Sequence, residues 1–211
     1  MVNLFLAVLL FSTPPQEVLN SVNNTVKVNR YTDSICTGWV VNTPGTKNTY
    51  VLTAKHCHDD ATPKDDGLPT AVIEYNGHIA FIHQWITSNT EDFMLLEIDK
   101  KPLSGFIISS NNIQPAGKYY TISHPSFYQY IYSPIIAVNM STDFEKIGQP
   151  DYDAAINCLV CTGGTSGAPV LLEGEVYGII LAKSNDIPGL SFISSSHKLL
   201  KFMNSVKSLL K

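Results

Sequence analysis

Charge is scarce in this chain: Asp, Glu, Lys and Arg make up 15% of its 211 residues, with a net charge of −4. Lys and Arg form no cluster, so the electrostatic footprint of a nucleic-acid binder is missing. Long apolar runs are missing too. The run Leu4 to Phe11 spans eight residues, too few to cross a bilayer as a helix, and no stable membrane span is expected. Cysteine is limited to Cys36, Cys57, Cys158 and Cys161, an even count that is compatible with two disulfides and proves none. Cys158 and Cys161 have metal-ligand spacing, but there is no second such pair and no His-x₃-His partner. That reads against a zinc site, and no metal or cofactor is expected. A G-x-S-x-G elbow is also absent, which sets aside a lipase or esterase.

What is present is apolar material, 44% of the chain, cut into short runs by Pro, Gly, Asn and Ser. Such a pattern reads as a mostly β protein, either one large domain or two small ones side by side. Leu4 to Phe11 has the length of a secretory h-region. However, no Lys or Arg precedes it, and Ser12-Thr13-Pro14-Pro15 matches a cleavage site poorly. A cleaved signal and a retained apolar segment both remain open. Gln16 to Asn29 is polar and Asn-rich and reads as a linker or a loose edge.

Strands are expected at Cys36–Val41 and Thr49–Thr53, paired as a hairpin across a Pro-Gly turn. Others follow at Ala71–Tyr75 and Ile79–Ile86, joined at Asn76-Gly77, and at Asp92–Ile98. Lys100 to Pro115 is the most linker-like interior stretch and separates two halves. The second half has strands at Lys118–Ser123, Ile131–Asn139, Ala154–Cys158, Pro169–Leu172 and Glu175–Ala182. After Ser195 or Ser196 as cap, Leu199, Phe202, Val206 and Leu209 recur at helical spacing, with Lys198, Lys201 and Lys207 off the stripe. That describes a closing helix packed on the body.

Three places carry chemistry. In Cys161-Thr162-Gly163-Gly164-Thr165-Ser166-Gly167-Ala168-Pro169, glycines free the backbone to take φ > 0 and can push the Ser166 hydroxyl into solvent. The same turn can aim the N–H groups of Gly164 and Ser166 at one point, as an oxyanion requires. His56 ends a strand in Leu52-Thr53-Ala54-Lys55-His56-Cys57, and Asp92 begins one in Glu91-Asp92-Phe93-Met94-Leu95-Leu96. A serine hydroxyl needs a base to take its proton. A neutral imidazole suits that role, and a carboxylate behind it fixes the tautomer.

At these residues the chain resembles the chymotrypsin-like (trypsin-fold) serine peptidases, compact microbial or viral type, whose motifs T-A-x-H-C, D-[IF]-x-L-L and G-x-S-G-x-P occur in that order. The resemblance covers Tyr31 to the C-terminal helix. It implies an all-β fold of two antiparallel six-stranded barrels with a C-terminal helix, the site lying in the cleft between them. The peptidase domain would span residues 30–211, with barrels at about 30–103 and 114–194 and the helix at about 196–210. Residues 1–29 would stand outside it. By resemblance His56 is the general base, Asp92 its orienting carboxylate, Ser166 the nucleophile, and the Gly164 and Ser166 amides the oxyanion hole. A Cys36–Cys57 disulfide follows in the same way.

There are departures from the family. Thr165 stands where digestive members carry an Asp, and no Ile-Val-Gly-Gly activation site occurs upstream, so activity without that switch is expected. No carboxylate lies at Leu159 to Cys161, so a preference for Arg or Lys is not supported. Pocket walls are expected from Val160, Gly163, Ile180, Leu181, Lys183 and Ser191, and a Cys158–Cys161 bridge is feasible. Of the other histidines, His124 before Pro125 is assigned a structural role. The function expected is endopeptidase hydrolysis of protein or peptide substrates through an acyl-enzyme, by a secreted monomer; a virus- or phage-borne peptidase would read the same. The alternative is a catalytically silent binding protein on the same fold.

Overall fold

In a computed structural model the described residues are 16–30, 35–57, 71–75, 78–98, 105–125, 130–138 and 151–210. The first barrel is made of β1 (Thr25–Arg30), β2 (Ile35–Val41), β3 (Thr49–Ala54), β4 (Ala71–Tyr75), β5 (His78–Thr87) and β6 (Phe93–Ile98). Their order is β1-β2-β3-β6-β5-β4, closed by an antiparallel β1–β4 pair. The first expected hairpin is β2–β3, with Val41 opposite Tyr50. In the second, β4 and β5 pair with Tyr75 opposite His78.

The second sheet contains β7 (Ile107–Ile108), β8 (Lys118–Ser123), β9 (Ile131–Val138), β10 (Ala154–Asn157), β11 (Pro169–Leu172), β12 (Glu175–Lys183) and β13 (Leu190–Ser195). Its order is β11-β8-β9-β10-β13-β12-β7, and an added β11–β12 pairing returns six of the strands on themselves. Among the described strands only β7 runs parallel to its neighbour. The expected two-barrel all-β fold is the observed one.

Burial patterns explain which strands face which way. β9 alternates buried Ser133, Ile135 and Ala137 with exposed Pro134 and Ile136, the period of a half-buried strand. β3 is buried at every residue, because one face lines the first barrel and the other meets the second. The main core accordingly mixes Trp39, Leu52, Phe93 and Leu95 with Leu171, Val176, Ile179 and Leu181 of the second barrel. A separate core of Tyr119, Ile135, Ile156, Val170, Ile180 and Ile193 fills the second barrel. The terminal helix α2 (Ser196–Val206) buries Leu199, Phe202 and Val206, and Phe202 packs on Phe93 with ring centroids 5.8 Å apart. Ser195 is its N-cap residue but makes no capping bond; its hydroxyl donates to Asp153 instead.

Two stretches read as linkers are built in. Gln16–Val22 is a helix, α1, and β1 follows it, with Val18, Val26 and Val28 buried. The valines of Val26-Lys27-Val28-Asn29 supply the alternation, and the surrounding asparagines conceal it. In the segment between the halves, Phe106 exchanges backbone bonds with Val40 and Asn42 and sits edge-on to Trp39 at 6.2 Å. Ile107–Ile108 then joins β12, so this segment straps one barrel to the other. β13 also escapes a pattern search. Its Ser191 faces inward, fully buried, while Phe192 is half-exposed and stacks on Tyr152 at 5.3 Å. The Leu4–Phe11 run lies outside the described residues.

Candidate active site

β3 ends at Ala54 and passes straight into a 3₁₀ turn, Lys55–Cys57, that carries His56. Two ties hold this turn. The Cys36–Cys57 disulfide fastens it to β2, and bridging positions 21 apart is worth about 3 kcal/mol. From the other side the Lys55 amide donates to Asp92 O at 3.1 Å. The Asp92 carboxylate then meets the histidine twice: Oδ1 accepts the His56 backbone N–H at 2.8 Å, and Oδ2 lies 2.6 Å from Nδ1. An ionised carboxylate only accepts, so Nδ1 carries the proton and the lone pair of the neutral ring sits on Nε2. The two side chains keep 42% and 20% of their surface, leaving the far edge of the ring reachable.

Ser166 reaches the same place from the second barrel. Its turn is clamped to the first barrel by Thr37, which is fully buried. The Thr37 amide donates to Ser166 O at 2.9 Å, and its hydroxyl donates to Gly164 O at 2.7 Å while accepting the His124 amide at 2.8 Å. Thr53 in turn donates its hydroxyl to Thr37 O at 2.7 Å. Gly167 fits against this clamp only because it has no side chain: an added Cβ would lie 2.1 Å from Thr37 O and 2.4 Å from Thr53 Oγ1, and φ is +85°. Gly164, at φ +96°, likewise rests on Pro125, whose Cα a Cβ would approach to 2.7 Å. The Ser166 turn therefore sits against Thr53 and Ala54, just before His56. Its hydroxyl donates a long bond, 3.4 Å, to Leu181 O.

Within the turn the amides divide cleanly. Thr165, Gly167 and Ala168 donate to Thr162 O, Ile180 O and Thr165 O. The amides of Gly164 and Ser166 donate no bond among the described residues. Thr165 is buried, and its hydroxyl accepts the Thr162 amide at 3.1 Å, so the turn closes on itself without a buried carboxylate.

These features fit what the chain's own sequence profile shows, for residues 36–179 match the trypsin-like peptidase domain. The chain belongs to the trypsin-like peptidase family. No curated protein matches it in sequence. Among solved structures it is similar to the active form of the Rv3671c protease from M. tuberculosis, at 17% identity over 89% of this chain and 82% of that one, TM-score 0.70. It is also similar to the serine endoprotease from Yersinia pestis (17%, 92% and 66%, TM-score 0.69). A scabies mite inactivated protease paralogue, S-D1, is a third (15%, 90% and 94%, TM-score 0.67). At these identities the likeness is one of fold.

The expected pocket residues of this trypsin-like domain fall into three groups. Val160, Gly163 and Lys183 are exposed around the Ser166 turn. Ile180 and Leu181 send their side chains into the two cores; what they present to the turn is carbonyl oxygen, to Gly167 N and Ser166 Oγ. Ser191 is buried opposite Lys183. Cys158 and Cys161 are bridged. His124 is buried, with Nε2 3.1 Å from Thr25 Oγ1. Cys36, His56 and Cys57 lie close together, but both sulfurs are spent in the disulfide and offer no thiolate.

Sequence reasoning missed Thr37, Thr53 and Tyr152. Burial first, then the carboxylates of Asp92 and Asp151, push the Tyr152 phenol above its ordinary value of 10.0, so it stays a neutral hydroxyl near Asp92. That contribution to stability is whole below about pH 10 and is lost as pH climbs past it. Thr37 is the testable omission. Thr37→Val should strand the Gly164 carbonyl and the His124 amide, at a cost of about 2–4 kcal/mol for two buried groups. Urea unfolding measures that cost. A displaced turn should also lower kcat/KM by roughly 10²-fold.

Proposed function

We propose that this trypsin-like domain is a serine endopeptidase acting through His56, Asp92 and Ser166. The observation that carries the proposal is the doubly bonded Asp92–His56 pair, set beside a glycine turn that holds Ser166 against the same strand end. For the reaction the Ser166 Oγ has to leave Leu181 O and turn toward His56 Nε2. Oγ attacks the substrate carbonyl as Nε2 takes its proton, and Asp92 stabilises the imidazolium that forms. The free amides of Gly164 and Ser166 receive the oxyanion. His56 returns the proton to the leaving amine, and water repeats the sequence on the acyl-enzyme.

Substrates are proteins or peptides, taken by a monomer. Two disulfides are consistent with an extracellular protein, since such bonds persist in oxidising surroundings. No described helix is long and apolar enough to cross a membrane. With no carboxylate at Leu159 to Cys161, a basic P1 residue has no partner there.

An activated ester tests the acyl-enzyme. A burst of released alcohol, one equivalent per protein, is expected before the steady state. A general base works only unprotonated, so kcat/KM should rise with pH. A rate that stays flat between about pH 5 and 8 would contradict a histidine base.

A further inference from the structure

We propose that Cys158–Cys161 is a reversible redox-modification site: a dithiol reductant opens this bridge selectively and loosens the turn that holds Gly164 and Ser166. The inference rests on the peptidase reading only for its effect on catalysis.

The two disulfides differ in access. Cys36 and Cys57 are both buried, inside the main core. Cys158 is buried but Cys161 is half-exposed, and the two residues between them form a projecting tip, with Leu159 83% and Val160 40% exposed. Thiol–disulfide exchange needs an approach to one sulfur, so Cys161 Sγ is the reachable target.

In the reaction a thiolate of the reductant attacks Cys161 Sγ. The S–S bond breaks, and its electron pair leaves on Cys158 Sγ, which takes up a proton. Ser133 Oγ lies 3.9 Å from that sulfur, its own hydrogen directed to Pro134 O, so the new thiol has an acceptor in place. The reductant's second thiol then resolves the mixed disulfide and frees Cys161. Two electrons and two protons pass to the protein, and the reductant leaves as a disulfide.

The consequence is local. Cys158 stays anchored in the second core, its amide bonded to Gly189 O at 2.6 Å. Cys161, only partly buried at the edge of the same core, keeps one long amide bond among the described residues, to Cys158 O at 3.3 Å, and it leads directly into Thr162-Gly163-Gly164. The freed end is therefore the one that positions the unspent amide of Gly164. The bridge also closes a far shorter loop than Cys36–Cys57, so opening it releases less chain entropy and leaves the fold standing.

The full chain is treated with graded dithiothreitol, then alkylated and mapped by mass spectrometry, with hydrogen exchange and kcat/KM followed in parallel. Cys158 and Cys161 should be alkylated at concentrations that leave Cys36–Cys57 intact. Exchange should quicken from Leu159 to Ser166 and not in the rest of the described fold, and kcat/KM should fall by about 10²–10³, the range for loss of one oxyanion donor, and recover on reoxidation. A Cys158→Ser/Cys161→Ser double variant should stay in the low state and ignore the reductant. The proposal is overturned if Cys36–Cys57 opens first or together with it, if exchange in the turn is unchanged, or if kcat/KM does not move. An oxidised protein that cleaves no peptide sinks the peptidase reading alone, because the alkylation order and exchange rates still decide this one.

Discussion

Ser166→Ala is expected to lower kcat by about 10⁶, the loss found when a triad that acts as a unit is broken. The argument is geometric. The Ser166 hydroxyl makes only a long bond to Leu181 O, while its backbone is held by Thr37 and its neighbour Gly167 by Ile180 O. Removing one oxygen therefore takes away the nucleophile and leaves the clamp intact. The thermal midpoint should barely change, which separates a chemical loss from a folding one. Steady-state turnover and a melting curve on the same sample give both numbers. A drop in kcat of less than about tenfold would mean that another group attacks the substrate.

Asp92→Asn should cost about 10⁴ in kcat. The asparagine is nearly the same shape, and its Oδ1 still accepts the His56 amide. Its other end is an NH₂, a donor, facing Nδ1. The imidazole must then present its lone pair at Nδ1, which places the proton on Nε2 and leaves the Ser166 side without a base. The folded structure should survive, because the ties through the Lys55 amide and the Cys36–Cys57 bridge do not involve the carboxylate. Measuring kcat across the pH range checks the mechanism: the loss should shrink at alkaline pH, where hydroxide substitutes for a missing base. A loss that is the same at every pH would point to a disrupted fold.

How much of this was legible in the sequence depends on the range of the interaction concerned. Short apolar runs such as Thr49-Tyr50-Val51-Leu52-Thr53 declare themselves as strands, because β-branched and aromatic residues fit a pleated, buried surface. The helix from Ser196 shows its stripe because Leu199, Phe202 and Val206 follow one local period. β13 is hidden because its alternation is inverted: buried Ser191 against half-exposed Phe192. β1 is hidden because only two valines mark it among polar neighbours. The site divides in the same way. His56, Asp92 and Ser166 stand in recognisable local motifs, and Cys158–Cys161 is near enough in sequence to bridge. Thr37 is an unremarkable strand residue until it meets Gly164 across 127 positions of chain. Long-range contacts of that kind come from the packing of one barrel on the other, which no local pattern encodes.

The central claim is that Ser166 is a nucleophile activated by His56. Labelling the oxidised full chain with a fluorophosphonate, followed by mapping of the adduct, tests it most directly. The account predicts one adduct, on Ser166, lost in the His56→Ala variant. A folded protein that stays unlabelled, or that is labelled equally well without His56, would contradict it and favour a silent binding protein on the same two barrels.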